Sequence, residues 1–136
     1  MKTILYVCVH NAGRSQMAEA FTNQMARTLG IDAQGLSAGT IAGEVINPIA
    51  MKVMDELGIS MGEQTPKQLT QEMADAADKI ITMGCGVDAS ACPARILISE
   101  DWGLDDPKDQ PIEKVRMIRD EIKAKVVTLL EEMKQN

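Results

Sequence analysis

Short apolar runs alternate with helical stripes along this chain. Continuous apolar stretches at 3–7, 34–37, 79–83 and 94–98 are bounded by polar or turn residues, and each predicts a buried strand. Between them the apolar period lengthens to that of a helix. Over 15–29, Met17, Ala18, Phe21, Met25 and Leu29 share one face, with Gly30 as the expected C-cap. Asn47-Pro48 sets an N-cap before a proline at the first helical position. The stripe Ile49, Met51, Val53, Met54 and Leu57 then runs to Gly58. Thr65 and Gln68 have capping-box spacing and predict a further helix start. A last helix over 111–133 carries Val115, Ile118, Ile122, Val126, Leu129 and Met133, a stripe that reads as core packing rather than a partner face. Strands alternating with helices over short connections predict an α/β fold, a parallel sheet covered on both faces.

Length and charge narrow the picture. A chain of 136 residues predicts a single domain spanning 1–136. A net charge of −6 argues against nonspecific nucleic-acid binding, which rests on Lys and Arg neutralising phosphates. No stretch approaches the ~20 apolar residues of a membrane span. The apolar run after Met1-Lys2 is too short for a signal peptide and ends in His10-Asn11 without a cleavage site, so a cytoplasmic protein is expected. Three cysteines form an odd set that does not fit a secreted disulfide framework. In a reducing compartment such cysteines are catalytic, redox-active or metal-binding.

The chemistry concentrates in Cys8-Val9-His10-Asn11-Ala12-Gly13-Arg14-Ser15. Here a cysteine ends a strand, five residues follow, and Arg-Ser opens a helix. Five residues are enough to curl backbone N–H groups around one small oxyanion, and the helix dipole adds to that field. Arg14 offers a planar fork for two anion oxygens. The same positive field favours the Cys8 thiolate. Set against this is the plain role of a cysteine at a strand end as a small buried hydrophobe. The pattern C-x5-R is also short, and only its strand–loop–helix setting gives it weight.

Cys85 follows the third predicted strand and so lies at the same end of the sheet as Cys8, where ligand crevices form. Gly84 and Gly86 flank it, and six residues, mostly small, separate it from Cys92. Three readings stand for this pair: a redox pair serving Cys8, inert thiols, or half of a zinc site. Zinc sites favour four ligands at tighter spacing, and the chain offers only one histidine. No bound metal is expected.

With these residues in view, the chain resembles the low-molecular-weight protein tyrosine phosphatases and the arsenate reductases that share their fold. Residues 8–19 (CVHNAGRSQMAE) resemble the active-site loop, and Leu104-Asp105-Asp106-Pro107 resembles the Asp-Pro loop that supplies a general acid. Ser37-Ala38-Gly39 and Asn47-Pro48 also match. Cys85 and Cys92 resemble the second and third cysteines of thioredoxin-coupled arsenate reductases. The resemblance covers nearly the whole chain. It implies a three-layer domain with a four-stranded parallel sheet, and catalytic roles for Cys8, Arg14, Ser15, Cys85, Cys92 and Asp106. Val9, His10, Asn11, Ala12, Gly13 and Arg14 would form the oxyanion loop.

The implied reaction is reduction of arsenate to arsenite, as in arsenic detoxification. Cys8 would attack arsenic while Asp106 protonates the departing oxygen. A transient Cys8–Cys85 disulfide would then pass to Cys85–Cys92. Thioredoxin would recycle it, with NADPH and thioredoxin reductase upstream and no bound cofactor; glutaredoxin or a small thiol is the alternative reductant. The protein is expected to act as a monomer. Ser15 could donate to the Cys8 thiolate or simply cap the helix, Asn11 would brace the loop from inside, and His10 would point outward. The alternative reading is a phosphomonoesterase using Cys8, Arg14 and Asp106, for which Lys108-Asp109-Gln110 offers no aromatic wall. A non-catalytic oxyanion or redox sensor is a third.

Two departures stand out. Gly13 occupies a position where some relatives carry another cysteine. Some relatives also bind potassium near the positions of Asn11, Glu19 and Ser37 with help from an aspartate. Lys67 falls at that aspartate's position here, so little potassium dependence is expected.

Overall fold

The computed structural model describes residues 1–84 and 98–134. Four strands, β1 (Lys2–Cys8), β2 (Ala33–Gly39), β3 (Lys79–Thr82) and β4 (Glu100–Asp101), form a sheet in the order β2-β1-β3-β4, every pair parallel. The helices are α1 (Arg14–Leu29), α2 (Pro48–Asp55), α3 (Gln71–Ala76) and α4 (Ile112–Lys134). β1 is central, and the chain leaves it toward β2 on one side and β3 on the other. The carboxyl end of β1 is therefore the switch point at which parallel α/β sheets open a crevice, and Cys8 stands there.

Strand alternation sorts the core into two faces. Ile4, Tyr6 and Cys8 point to one side and pack with Met17 and Phe21 of α1, Val53 and Met54 of α2, and the Val115–Leu130 stripe of α4. Leu5 and Val7 point to the other, into a smaller cluster with Ala38, Leu69, Ala74 and Ile80. The three layers of the expected fold are present but unequal. Trp102 joins the larger core against Tyr6, with ring centroids 5.5 Å apart.

Three expectations change. Ser15 is not a helix cap: α1 begins at Arg14, and Gly13 holds the cap position without a side-chain bond. The helix start at Thr65 moves to Thr70, whose hydroxyl caps α3 by accepting from Met73 N. Residues 65–69 cannot coil because they are tied along the end of β2: Gly39 N donates to Lys67 O and Leu69 N to Gly39 O, each at 2.8 Å. The stripe over α2 also shifts. Ala50, Val53 and Met54 are buried, while Ile49 and Leu57 are exposed. Asn47 caps α2 as expected, accepting from Ile49 N and Ala50 N. The strand expected over 94–98 lies, except for Ile98, outside the described residues, and so do Cys85 and Cys92.

Candidate active site

Residues 9–13 leave β1 and turn back into α1, and their carbonyls are claimed from outside. Cys8 O, Val9 O, His10 O and Ala12 O accept from the backbone N–H groups of Thr40, Ile41, Gly43 and Asn47 at 2.8–3.1 Å. In a trans peptide the N–H points opposite to the C=O, so these peptide units aim their N–H groups into the loop. Asn11 N shows the result, donating to Cys8 Sγ at 3.2 Å. Asn11 takes φ 54°, a left-handed value that asparagine tolerates better than most residues.

A directed chain of hydrogen bonds ends on the sulfur. The backbone N–H of Lys67 donates to Asn11 Oδ1 at 2.8 Å, which fixes the amide orientation. Asn11 Nδ2 then donates to Ser15 Oγ at 2.8 Å. The Ser15 hydroxyl has its own proton left to give, and Cys8 Sγ is 2.9 Å away. Donors aimed at sulfur favour the thiolate. Cys8, Asn11 and Ser15 are all buried, so bulk water does not dilute these bonds.

Gln16 belongs to this network and was not anticipated. Fully buried, its Nε2 reaches Asn11 O, Asn11 Oδ1 and Thr65 O, and its Oε1 accepts from Gln64 Nε2 at 2.7 Å. A glutamine in the first turn of a helix gives no sequence signal for this. His10 points away from the sulfur, as expected, with Nδ1 3.1 Å from Ile41 O.

Arg14 is buried under the loop. Its Nη1 donates to Met83 O at 3.1 Å and to Leu104 O at 2.7 Å, which aims the guanidinium. Its Nη2 lies 3.8 Å from Asp106 Oδ2. Asp106 is exposed, and its Oδ1 accepts from Lys108 N. The adjacent Asp105 is committed elsewhere: Lys114 Nζ bonds it at 2.7 Å and holds its carboxyl below the usual carboxylate range. Gly13 explains one departure, since a Cβ there would lie 2.8 Å from Pro107 Cγ. The Asp-Pro segment rests on the loop at a point with no room for a side chain.

The potassium position is different. Ser37 Oγ donates to Glu19 Oε1 at 2.8 Å, and Lys67 Nζ reaches the same oxygen at 3.3 Å and Thr65 O at 3.1 Å. Glu19 thus has a cation belonging to the protein, and the residues present do not fit a further monovalent ion.

Together these residues line a cleft of about 950 Å³. Cys8, Gly13, Arg14, Asp106 and Pro107 line it, together with the apolar side chains of Val45 and Ile49. Among the described residues no Phe, Tyr or Trp lines it. The arrangement is suited to hold a tetrahedral oxyanion over the Cys8 sulfur, with one carboxyl group at the rim.

Comparison with known proteins agrees with this geometry. The chain is 35% identical to a protein named glutaredoxin arsenate reductase from Synechocystis, over 96% of this chain and 97% of that one. Among solved structures, an arsenate reductase in a phosphate-binding state matches with a TM-score of 0.83 and 32% identity, covering 98% of this chain and 99% of that one. A thioredoxin-dependent arsenate reductase from Corynebacterium glutamicum matches with a TM-score of 0.77 and 31% identity, covering 99% of this chain and 63% of that longer one. The model of the low molecular weight phosphotyrosine protein phosphatases matches residues 3–136, and the chain belongs to that family.

Proposed function

We propose that this protein reduces arsenate to arsenite, with Cys8 as nucleophile and a thiol protein as the source of electrons. The observation that carries the reading is the chain of donors ending on Cys8 Sγ inside an arginine-braced anion loop. The names of the relatives select arsenate among tetrahedral oxyanions, and two of those names point to a thiol-protein reductant.

Loop N–H groups and Arg14 hold the oxyanion. The Cys8 thiolate attacks arsenic, and one oxygen leaves as water with a proton from Asp106. The Cys85 thiolate attacks the Cys8 sulfur; an S–S bond forms and the S–As bond breaks. The electron pair stays on arsenic, which becomes As(III), while two thiolates become one disulfide. Cys92 then attacks Cys85, releases Cys8 and leaves a Cys85–Cys92 disulfide for the thiol protein. Thioredoxin, fed by NADPH through its reductase, fits a relay that ends in an internal disulfide. No cofactor is bound in this scheme, and it runs in a single 1–136 domain acting as a monomer in the cytoplasm.

A second reading has support of its own. Cys8, Arg14 and Asp106 suffice for phosphomonoester hydrolysis through a phosphocysteine, and the cleft is much larger than one oxyanion. An aromatic-free wall does not suit phosphotyrosine, and hydrolysis needs neither Cys85 nor Cys92. The test is arsenate-dependent NADPH oxidation with thioredoxin and thioredoxin reductase, comparing wild type with Cys8→Ser, Cys85→Ser and Cys92→Ser. Sustained turnover in wild type and none in the three variants is expected. Ester hydrolysis lost only in Cys8→Ser, with no arsenate turnover, would move the protein to the phosphatases. Tight oxyanion binding with neither activity would make it a sensor.

A further inference from the structure

Asp101 ends β4 in register with Thr82 of β3. Its Oδ1 accepts from Thr82 Oγ1 at 2.6 Å and from the backbone N–H of Gly84 at 2.7 Å. The same stretch is held from its other side. Arg14 Nη1 ties Met83 O to Leu104 O, and Leu104 N donates to Met83 O. Gly84 takes φ +76° and lies so close to Gly103 that a Cβ would sit 2.5 Å from Gly103 Cα. These contacts converge on residues 82–84, and the next residue in the chain is Cys85. Asp101 is exposed and forms no ion pair among the described residues, so its carboxylate neither fills the core nor neutralises a neighbour.

We infer that Asp101 is a positioning residue for the second half of the reaction, fixing Gly84 so that Cys85 meets Cys8 from a set origin. The inference rests on the relay proposed above. Attack of one sulfur on another demands close, in-line approach. A misplacement of about 1 Å at a reacting group can cost on the order of 100-fold. The first half, capture of the oxyanion by Cys8, uses Cys8, Arg14 and Asp106, and Arg14 keeps its shorter bond, 2.7 Å to Leu104 O, when the hold on Gly84 is loosened. Asp101 therefore bears mainly on the second half of the chemistry.

Asp101→Ala and Asp101→Asn in the full chain test this through three readouts: hydrolysis of p-nitrophenyl phosphate, the inhibition constant of inorganic phosphate, and turnover with arsenate in the thioredoxin-coupled assay. Asp101→Ala is expected to keep the first two within about twofold and to lose about tenfold or more in the third. Asp101→Asn keeps an oxygen that accepts the same two bonds and should recover most of the turnover. Arsenate turnover of Asp101→Ala equal to wild type would overturn the inference alone. An equal loss in all three readouts would also overturn it, placing Asp101 in support of the oxyanion loop. A wild type that hydrolyses the ester without reducing arsenate would remove the relay and this inference together.

Discussion

The two segments that meet over the cleft are built in opposite ways. In the loop from Cys8 to Ser15 the working side chains Cys8, Asn11, Arg14 and Ser15 are buried, and its carbonyls, the Asn11 amide and the Arg14 guanidinium are each fixed by named partners. The segment carrying Asp106 lies on the surface: the Asp106 side chain is 57% exposed, against 7% for Arg14. It is steadied by a turn bond from Lys108 N, the Asp105–Lys114 pair and the seat of Pro107 on Gly13. The difference follows from the tasks. An anion site gains from donors that need no rearrangement when the ligand arrives. A proton donor has to exchange its proton with solvent after each turnover, and an exposed carboxyl does so readily.

The largest expected effect breaks the open side of this comparison. Asp106→Asn removes the proton donor while leaving the loop intact, and should lower turnover by about 100-fold or more. The inhibition constant of inorganic phosphate should stay within about twofold. Asp105→Asn, which loses only an exposed pair with Lys114, is expected to keep near wild-type rates. If the two variants fell equally, the acid would not be assigned to Asp106.

Ser15→Ala sharpens the buried side. It takes away the hydroxyl aimed at Cys8 Sγ and leaves Asn11 Nδ2 without its acceptor. A thiolate that loses a donor is less favoured, so the thiol pKa rises and the thiolate fraction at a given pH falls. The pH profile of Cys8 alkylation by iodoacetamide should move to higher pH, with a rate at pH 7 lower by about tenfold. An unmoved profile would leave Ser15 a packing residue.

The smallest effect is expected at Lys67. Replacing sodium with potassium should change neither the rate nor the Tm of the wild type. Lys67→Ala leaves Glu19 without its ammonium and should cost about 1–2 kcal/mol of stability, partly restored by potassium. A large potassium response of the wild type would show that the ammonium does not stand in for the ion.

Much of the fold was legible because the local signals agreed. The apolar runs of β1, β2 and β3, the stripe of α4 and the Asn47-Pro48 cap all fall where the chain predicts them. Thr65 misled because its capping-box spacing is a local preference. The ties from Lys67 to Asn11 and Gly39 straighten that segment, and Thr70 inherits the cap. Within the site, the residue types of Cys8, Arg14 and Asp106 announced their chemistry. Ser15 was open between two roles, and only the contact with Cys8 Sγ chose one.

The sequence by itself determined that a cysteine, an arginine and a helix start share one short loop at the end of a strand, and that the sheet is parallel. Both follow from neighbours in the chain, where periodicity and turn chemistry act. The tertiary structure alone decided what reaches that loop from 56 to 90 residues away: Lys67 N on Asn11 and the carbonyls of Met83 and Leu104 on Arg14. It also brought Asp101 to Gly84. Such contacts depend on the order and register of strands in the sheet, which no local pattern encodes.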